Sequence, residues 1–404
     1  MDDFLEDCLR SSFEMAYDKY EIIMSVSDES DLAVKVALKM IAEYPLVDAK
    51  LEIGNTIVGA NPKINNLYRS YHKAKYDIIW MYDSNTMLNP NSLQTCVEEL
   101  TKPHVGLVHH LPRGMKSFSF GALLESIYMG TSHARMYLSL NYFVQLAQSI
   151  GFTASCVTGK SMMFRRSTLQ KVGGIEKFGN FLAEDNTIGA KISGLGLKHS
   201  LCFDFASQLL GKATVSDYVQ RRIRWARLRF FIAPIVAVVE PLTECLYSGL
   251  FTCWAVTSVF PSISAVHFFI THSLVWFSFD WILYMLITSG DKVSGQQPKI
   301  SFKSFLVIWA FRELIFALIF LKGLAGNTVE WRGRKYELKY GGSLVADKQS
   351  CKRDDNRRGT KRQFFMNLLM GWISLYFGFP NDFLGFDENS MNYCSLIDHK
   401  IDCK

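Results

Sequence analysis

"FLAEDNTIGAKI" (residues 181–192) and "RRIRW" (221–225), with the strand-like "HSLCFDF" (199–205) between them, decide how this chain is read. The first opens on the acidic pair Glu184–Asp185 and continues at helical spacing; the second is a basic cluster closed by Trp225. Directly after that cluster the polar chain gives way to long apolar runs. A carboxylate, a group of guanidiniums and an entry into lipid, in that order, point to a base, an anion clamp and a membrane-borne substrate.

Upstream, the apolar run "EIIMSVS" (21–27) ends at Asp28, and Ser30 or Asp31 is placed to cap the helical "LAVKVALKMIAEYP" (32–45). Strand-like "AKLEIG" (49–54), helical "INNLYRSYHKA" (64–74) and a buried strand in "DIIWMYDSN" (77–85) follow. The helical "SLQTCVEELT" (92–101) and the strand "VGLVHHL" (105–111) continue the alternation. This pattern predicts an α/β fold with an open sheet, parallel neighbours and flanking helices. Ligands of such sheets sit beyond the carboxyl ends of strands, where Asp28 and Asp83 both fall. Residues 118–150 read as helical with aromatic faces, and "CVTGKSMMFRR" (156–166) returns to strand.

Downstream, no Asp, Glu, Lys or Arg occurs from Cys245 to Phe279. At ~1.5 Å per helical residue that run exceeds the ~30 Å hydrocarbon thickness. Pro261 divides it into two expected helices near 233–260 and 263–289, and a third candidate spans 304–323. The third carries Arg312 and Glu313, which would cost at least ~2.5–3.5 kcal/mol unpaired in lipid and must therefore face protein. Basic residues flank both the entry (Arg221 to Arg229) and the exit (Arg332, Arg334, Lys335). Positive-inside bias then requires an even number of crossings. Either 304–323 or the Glu240- and Glu244-bearing start of the first helix is expected to be re-entrant or interfacial. The organisation expected is a catalytic domain over 1–228, membrane-associated helices over 229–325 and a basic cytosolic tail over 326–404. Within that tail the short apolar "FFMNLLMGWISLYFGF" (364–379) suits an interfacial helix.

The bulk composition agrees. Of 404 residues 49% are hydrophobic, and the net charge of +6 is concentrated in Arg and Lys at 221–229 and 332–362 rather than spread. That distribution fits a membrane surface or a phosphate ligand. No RNP, zinc-finger or basic-zipper pattern occurs, so no nucleic-acid partner is expected. Nine scattered cysteines without a CxxC pair argue against a disulfide framework or a structural zinc site and for a reducing compartment.

Candidate chemistry follows from residue type and position. Asp83, at a strand end, can give one oxygen to a divalent cation that also takes a diphosphate and water; a capping turn is the alternative. Asp28 could accept from a nucleoside or serve as a cap. Lys63, beside Asn65 and Asn66 at a helix start, suits a nucleotide or phosphate, with solvated turn chemistry as the alternative. Asp185 has the place of a general base, although acids in first helical turns also occur for dipole reasons. Arg221 and Arg224 share a helix face, where they can clamp a diphosphate or contact anionic lipid, and Trp225 offers an apolar wall. His133 in "GTSHAR" (130–135) is a further candidate for the site.

Taken together these pieces resemble the ceramide glucosyltransferase family, inverting family-2-like glycosyltransferases with the GT-A fold. The resemblance covers roughly residues 12–343. It rests on the series Asp28, Asp83, Asp185, Arg221-x-x-Arg224-Trp225, and on "NPKINNL" (61–67), "GLVHHLP" (106–112), "GTSHAR", "CVTGKS" (156–161), "AED" (183–185) and "VEWRGRKYEL" (329–338). It implies a GT-A open mixed sheet followed by a C-terminal helical membrane region. It implies UDP-glucose as donor, ceramide as acceptor, a bilayer as setting and room for a homo-oligomer. It also implies Asp28 and Lys63 at the nucleotide, Asp83 at Mg²⁺ or Mn²⁺, Asp185 as base, and Arg221, Arg224, Trp225 and His133 near diphosphate and acceptor. The membrane implied is that of the Golgi or endoplasmic reticulum, with the site facing the cytosol. The family begins with a membrane helix and a first strand that this sequence lacks, so a gap in the sheet beside the donor site is expected, and with it a second reading as a non-catalytic scaffold.

Overall fold

The computed structural model describes residues 4–289, 300–331 and 334–346. After α1 (Leu5–Phe13) the chain alternates: β1 (Glu21–Val26), α2 (Leu32–Glu43), β2 (Asp48–Ile53), α3 (Pro62–Lys73), β3 (Ile78–Tyr82), β4 (Thr86–Met87), α4 (Ser92–Thr101) and β5 (Val105–Ser117). Local chemistry explains the boundaries. Asp31 caps α2 by accepting from the Ala33 N–H at 2.9 Å, and Asn61 caps α3 ahead of Pro62 in the first turn. The stretch 118–150 is helical as expected: α5 (Phe120–Tyr128) passes through one π turn, Met129–His133, into α6 (Ala134–Ser149). Then come β6 (Ser161–Arg165), α7 (Arg166–Gln170), α8 (Glu184–Ser193), β7 (Lys198–Gly211) and α9 (Val215–Ile232). A Thr214–Asp217 capping box starts α9.

The sheet is mixed. Five strands lie in the order β3-β6-β5-β7-β4, and β1 and β2 form a separate parallel pair. This is the open mixed sheet expected, and among the described residues its parallel neighbours are β1–β2 and β5–β7. After the α5–α6 excursion, β6 runs back between β3 and β5 and is antiparallel to both. Among the described residues β1 pairs only with β2, and β3 only with β6. The edges of β1 and β3 both line one large cleft, so the sheet is interrupted there. Apolar side chains fill both faces. Ile64, Leu107, Phe164, Ile188 and Ile192 pack under α3 and α8, and Leu88, Leu100, Val108 and Met163 pack under α4.

Beyond α9 the chain turns apolar through α10 (Pro234–Val239), α11 (Cys245–Val259), α12 (Ala265–Ser289) and α13 (Phe302–Leu324). Among the described residues only α12 and α13 are each long and apolar enough to cross a bilayer; the stretch through α10 and α11 is bent by 83° at the break before Cys245. The charged pair of α13 faces protein. Arg312 contacts Glu244 at 2.8 Å and also Glu313, and all three are buried. In α12, Asp280 is fully buried, ion-paired to Arg135 of α6 and bonded by Trp309 Nε1 at 2.9 Å. These contacts fasten the apolar helices to α6 and to the segment before α11.

Residues 326–404 were expected as one basic tail, yet the first part folds. Strands β8 (Thr328–Trp331), β9 (Arg334–Leu338) and β10 (Leu344–Ala346) make an antiparallel sheet whose Val329, Tyr336, Leu338 and Leu344 pack on Ala60, Leu182, Leu228 and Phe231. Alternation of apolar and polar residues in "TVEW" and "RKYEL" supplies that face. The expected interfacial helix at 364–379 lies outside the described residues.

Removing Arg312 would leave two buried carboxylates without their cation, a loss of about 3–5 kcal/mol for a buried pair. Arg312→Ala is therefore expected to lower the thermal unfolding midpoint of the detergent-solubilised protein by several degrees, whereas Leu314→Ala on the outward face changes it little. Equal midpoints for the two variants would refute this role.

Candidate active site

A cleft of about 1750 Å³ runs from the β1–β3 gap, past the ends of β3 and α8, to α6, α9 and Val236. At its centre lies the Lys63 ammonium. The first turn of α3, set by the Asn61 cap, delivers Lys63 Nζ to Asp83 Oδ1 (3.0 Å), Glu184 Oε1 (3.1 Å) and the Gly159 carbonyl (2.9 Å). Asn61 also donates to Glu184 Oε2 at 3.0 Å. Both Glu184 oxygens are thus committed. Asp83 follows β3 and receives a second cation, Lys160, on Oδ2 at 2.8 Å. Burial alone would raise the Asp83 carboxyl, but Lys160 and Lys63 outweigh it and hold it well below the usual carboxylate range.

Asp185 stands one residue on and behaves differently. Its Oδ1 accepts from the Asn186 N–H at 2.7 Å. Burial, reinforced by the Glu184 charge, pushes its carboxyl up to about 7, with Lys63 pulling the other way. Two acids of one cleft therefore have separated affinities for a proton: one is fixed as an anion, and the other titrates near neutrality. Gly159 leaves room for both groups, since a Cβ there would lie 2.9 Å from Lys63 Nζ and 3.1 Å from Asp185 Oδ2 and press on them.

The basic motif lines the same cleft from α9. Arg221 reaches Glu125 of α5 at 3.3 Å and keeps a partly exposed face, while Arg224 makes no direct ion pair among the described residues. Arg222 points the other way. It is buried between the rings of Tyr128 (4.0 Å) and Trp225 (4.1 Å) and bonded to Glu125 at 2.9 Å, so it holds Trp225 against the cleft. His133, presented by the π turn, packs 5.5 Å from the Trp225 ring. Neither ring nitrogen of His133 has a partner in the protein, and burial, with Arg222 and Arg229 nearby, lowers its pKa to about 3. It is a neutral imidazole lining the cleft with hydrogen-bonding capacity to spare. Cys156 also lines the cleft, but burial pushes its thiol up to about 12, which suits filler rather than a nucleophile.

Of the expected site residues the structure brings together Lys63, Asp83, Asp185, His133, Arg221, Arg224 and Trp225. Asp28 is not among them. Its exposed Oδ1 accepts from the Ser30 N–H and hydroxyl, both at 2.8 Å, as a turn residue, while Ser27 and Asp31 line the cleft beside it. Lys160, Glu125 and Arg229 escaped the sequence reading. Only Lys160 left a signal, as the lysine of "TGKS" leading into β6.

An α/β domain with a mixed sheet, acids at the ends of β3 and α8, and two long apolar helices behind them defines a membrane-associated GT-A-like glycosyltransferase. The chain belongs to glycosyl transferase family 21, whose model matches residues 1–344. It is 33% identical over 350 residues to ceramide glucosyltransferase 3 of Caenorhabditis elegans, covering 86% of this chain and 72% of that protein. It is 32% identical over 347 residues to ceramide glucosyltransferase 1 of the same organism, covering 85% and 71%. Among solved structures, a mannosyltransferase from Pyrobaculum calidifontis in complex with GDP-Man and Mn²⁺ covers 77% of this chain and 83% of its own, at 16% identity and a TM-score of 0.43.

Lys63 is the element whose removal this geometry makes most costly. Asp83, held below its unfolded value of ~3.9, contributes stability at all pH above that value and loses it only in strong acid. In Lys63→Met the buried acids lose a shared cation, their pKa values rise, and they take up protons as pH falls. The variant's melting deficit against wild type is therefore expected to be largest near pH ~8 and to narrow toward pH ~5. A deficit independent of pH would contradict the shared-cation arrangement.

Proposed function

We propose that this chain transfers glucose from UDP-glucose to the primary hydroxyl of ceramide with inversion, giving glucosylceramide and UDP. The observation that carries the reading is Asp185, a buried carboxyl raised to about 7 in a cleft that also holds Lys63, Lys160, Arg221 and Arg224 and the apolar side chains of α6 and α9. The family and the ceramide glucosyltransferase relatives support the choice of donor and acceptor.

In this reading the diphosphate lies near Lys63, Lys160, Arg221 and Arg224, and the nucleoside toward the β1 end. The lipid enters along Trp225, Leu228, Ile232, Ala233 and the α6 residues Leu140 and Phe143. Asp185 takes the proton of the acceptor hydroxyl as its oxygen forms the new bond to the anomeric carbon. The bond to the diphosphate breaks on the opposite face and UDP leaves with the electron pair. A single base suffices, because UDP leaves without protonation. Glu184, with both oxygens engaged, is not a competitor for that role. His133 is placed to bond the amide or a hydroxyl of the acceptor.

Asp83 is the residue that would hold a Mg²⁺ or Mn²⁺. Both of its oxygens are engaged by lysines, so an ion would join there by displacing at least one ammonium onto the diphosphate it arrives with. Such an ion would supply neutralisation of the charge growing on the leaving group. Two spanning helices with α10–α11 as a bent interfacial or re-entrant piece would place both basic flanks on the cytosolic side of a Golgi or endoplasmic-reticulum membrane.

The interruption between β1 and β3 favours a second reading, a fold that binds donor or lipid without turnover. One experiment separates the two. Reconstituted wild type is expected to form glucosylceramide at a rate that rises through pH about 7, as Asp185 loses its proton. Asp185→Asn should retain UDP binding and lose about 10²–10⁴-fold in turnover. Unchanged turnover in the variant would remove Asp185 as base, and UDP binding without product in wild type would establish the scaffold.

A further inference from the structure

Behind the cleft, three metal-ligating side chains meet in the core. Cys96 comes from α4, His110 from β5 and Cys202 from β7, far apart in the chain, and all three are buried. Their donor atoms lie within 4.8 Å of one another, with Cys96 Sγ 3.3 Å from His110 Nε2 and 4.0 Å from Cys202 Sγ. We propose that Cys96, His110 and Cys202 form a buried zinc site that ties α4 to the β5–β7 pair.

The distances suit the ion. Ligands about 2.3 Å (sulfur) and 2.0–2.1 Å (nitrogen) from a tetrahedral Zn²⁺ sit roughly 3.8 Å apart for two sulfurs and 3.5 Å for sulfur and nitrogen. The two spacings from Cys96 Sγ, 3.3 Å and 4.0 Å, are within a few tenths of an ångström of these values, and His110 Nε2 and Cys202 Sγ lie within 4.8 Å of each other. Charge suits it as well. Two thiolates, a neutral imidazole and Zn²⁺ sum to zero, the arrangement that surroundings of Leu88, Leu93, Leu100, Val108 and Met163 tolerate best. Binding displaces the two thiol protons to solvent, with no change of oxidation state. Among the described residues no fourth His, Cys, Asp or Glu joins the group, so the chain supplies three ligands.

The outer contacts point the same way. His110 Nδ1 lies 2.8 Å from Ser161 Oγ, which also accepts from Trp80 Nε1 at 2.8 Å. With the Trp80 donor already on that oxygen, His110 can place its own proton at Nδ1 and turn a bare Nε2 lone pair toward the sulfurs. Ser161 and Trp80 sit in β6 and β3, adjacent to Lys160 and three residues before Asp83. An ion here would brace the two strands that carry the cation–carboxylate pair of the cleft.

The test uses the full chain, tag removed, purified from zinc-supplemented cells. Elemental analysis should find one zinc per wild-type chain, falling to background in Cys96→Ala and Cys202→Ala and retained in Cys253→Ser. Exchange of Co²⁺ into wild type should produce a thiolate-to-cobalt charge-transfer absorption that the two alanine variants lack. Chelation should lower the melting midpoint of wild type by several degrees and leave Cys202→Ala unmoved. Wild type at background zinc, with no cobalt absorption, would overturn the site whether or not the variants fold. A peptide map showing Cys96 joined to Cys202, two hydrogens lighter than the free thiols, would overturn it equally.

Discussion

The Lys63 ammonium is the constraint from which the rest of the cleft follows. Two carboxylates contact it directly and a third, Asp185, feels its charge; none could approach the others in a partly buried space without it. Asn61 makes the arrangement local and cheap to specify. Its Oδ1 caps α3 while its Nδ2 holds Glu184, so one residue sets both the helix that delivers Lys63 and the acid that receives it. The difference between Asp83 and Asp185 is then a matter of counting neighbours. Asp83 touches two ammoniums; Asp185 touches none and has Glu184 as a like-charged neighbour. One fold thus keeps one acid ionised and poises the other near neutrality.

The same logic governs the apolar half. Long apolar helices give little directional information to one another in lipid, so their charged residues do the positioning. Arg312 with Glu244 and Glu313, and Asp280 with Arg135, point inward and join α12 and α13 to α6 and the segment leading into α11. At the other end Arg227 of α9 donates to the carbonyls of Lys322, Gly323 and Ala325, closing the C-terminus of α13. The helix that carries the basic motif is therefore anchored to a membrane helix within three residues of Arg224.

What was legible in the sequence was whatever periodicity and caps control. The strands and helices through Thr101, the helical 118–150 and the acidic start of α8 stand where the pattern puts them, and most of the site falls at their ends. Asp28 shows the limit of that rule. A strand-end aspartate two residues before Ser30 closes its own turn, and no pattern distinguishes that from a ligand contact. The roles of Arg222, Arg229 and Glu125 were invisible for a different reason, because they depend on which side of α9 faces α5, and Lys160, legible only as the lysine of "TGKS", reaches Asp83 because β6 is inserted antiparallel beside β3. The cysteines went the same way. Scattered spacing argues against zinc only when ligands come from one local loop, and Cys96, His110 and Cys202 are brought together by the pairing of β5 with β7 and the packing of α4 against them.

Sheet order also explains how the cleft comes to mix charge with apolar surface. The ends of β3 and α8 bring Asp83 and Asp185 to it beside Lys63 and Lys160, while α6, α9 and α10 add Phe143, Ile232 and Val236 next to the arginines of α9. On the proposed reading such a cleft takes both a polar, phosphate-bearing donor and an acceptor anchored in a bilayer. Asp185 lies in this shared space, and its burial, with Glu184 beside it, lifts its pKa. On the proposed reading the carboxyl's basicity and its access to a lipid hydroxyl therefore have a common cause. Moving it toward the lysines would make it a poorer base, and moving it toward Phe143 would keep it protonated.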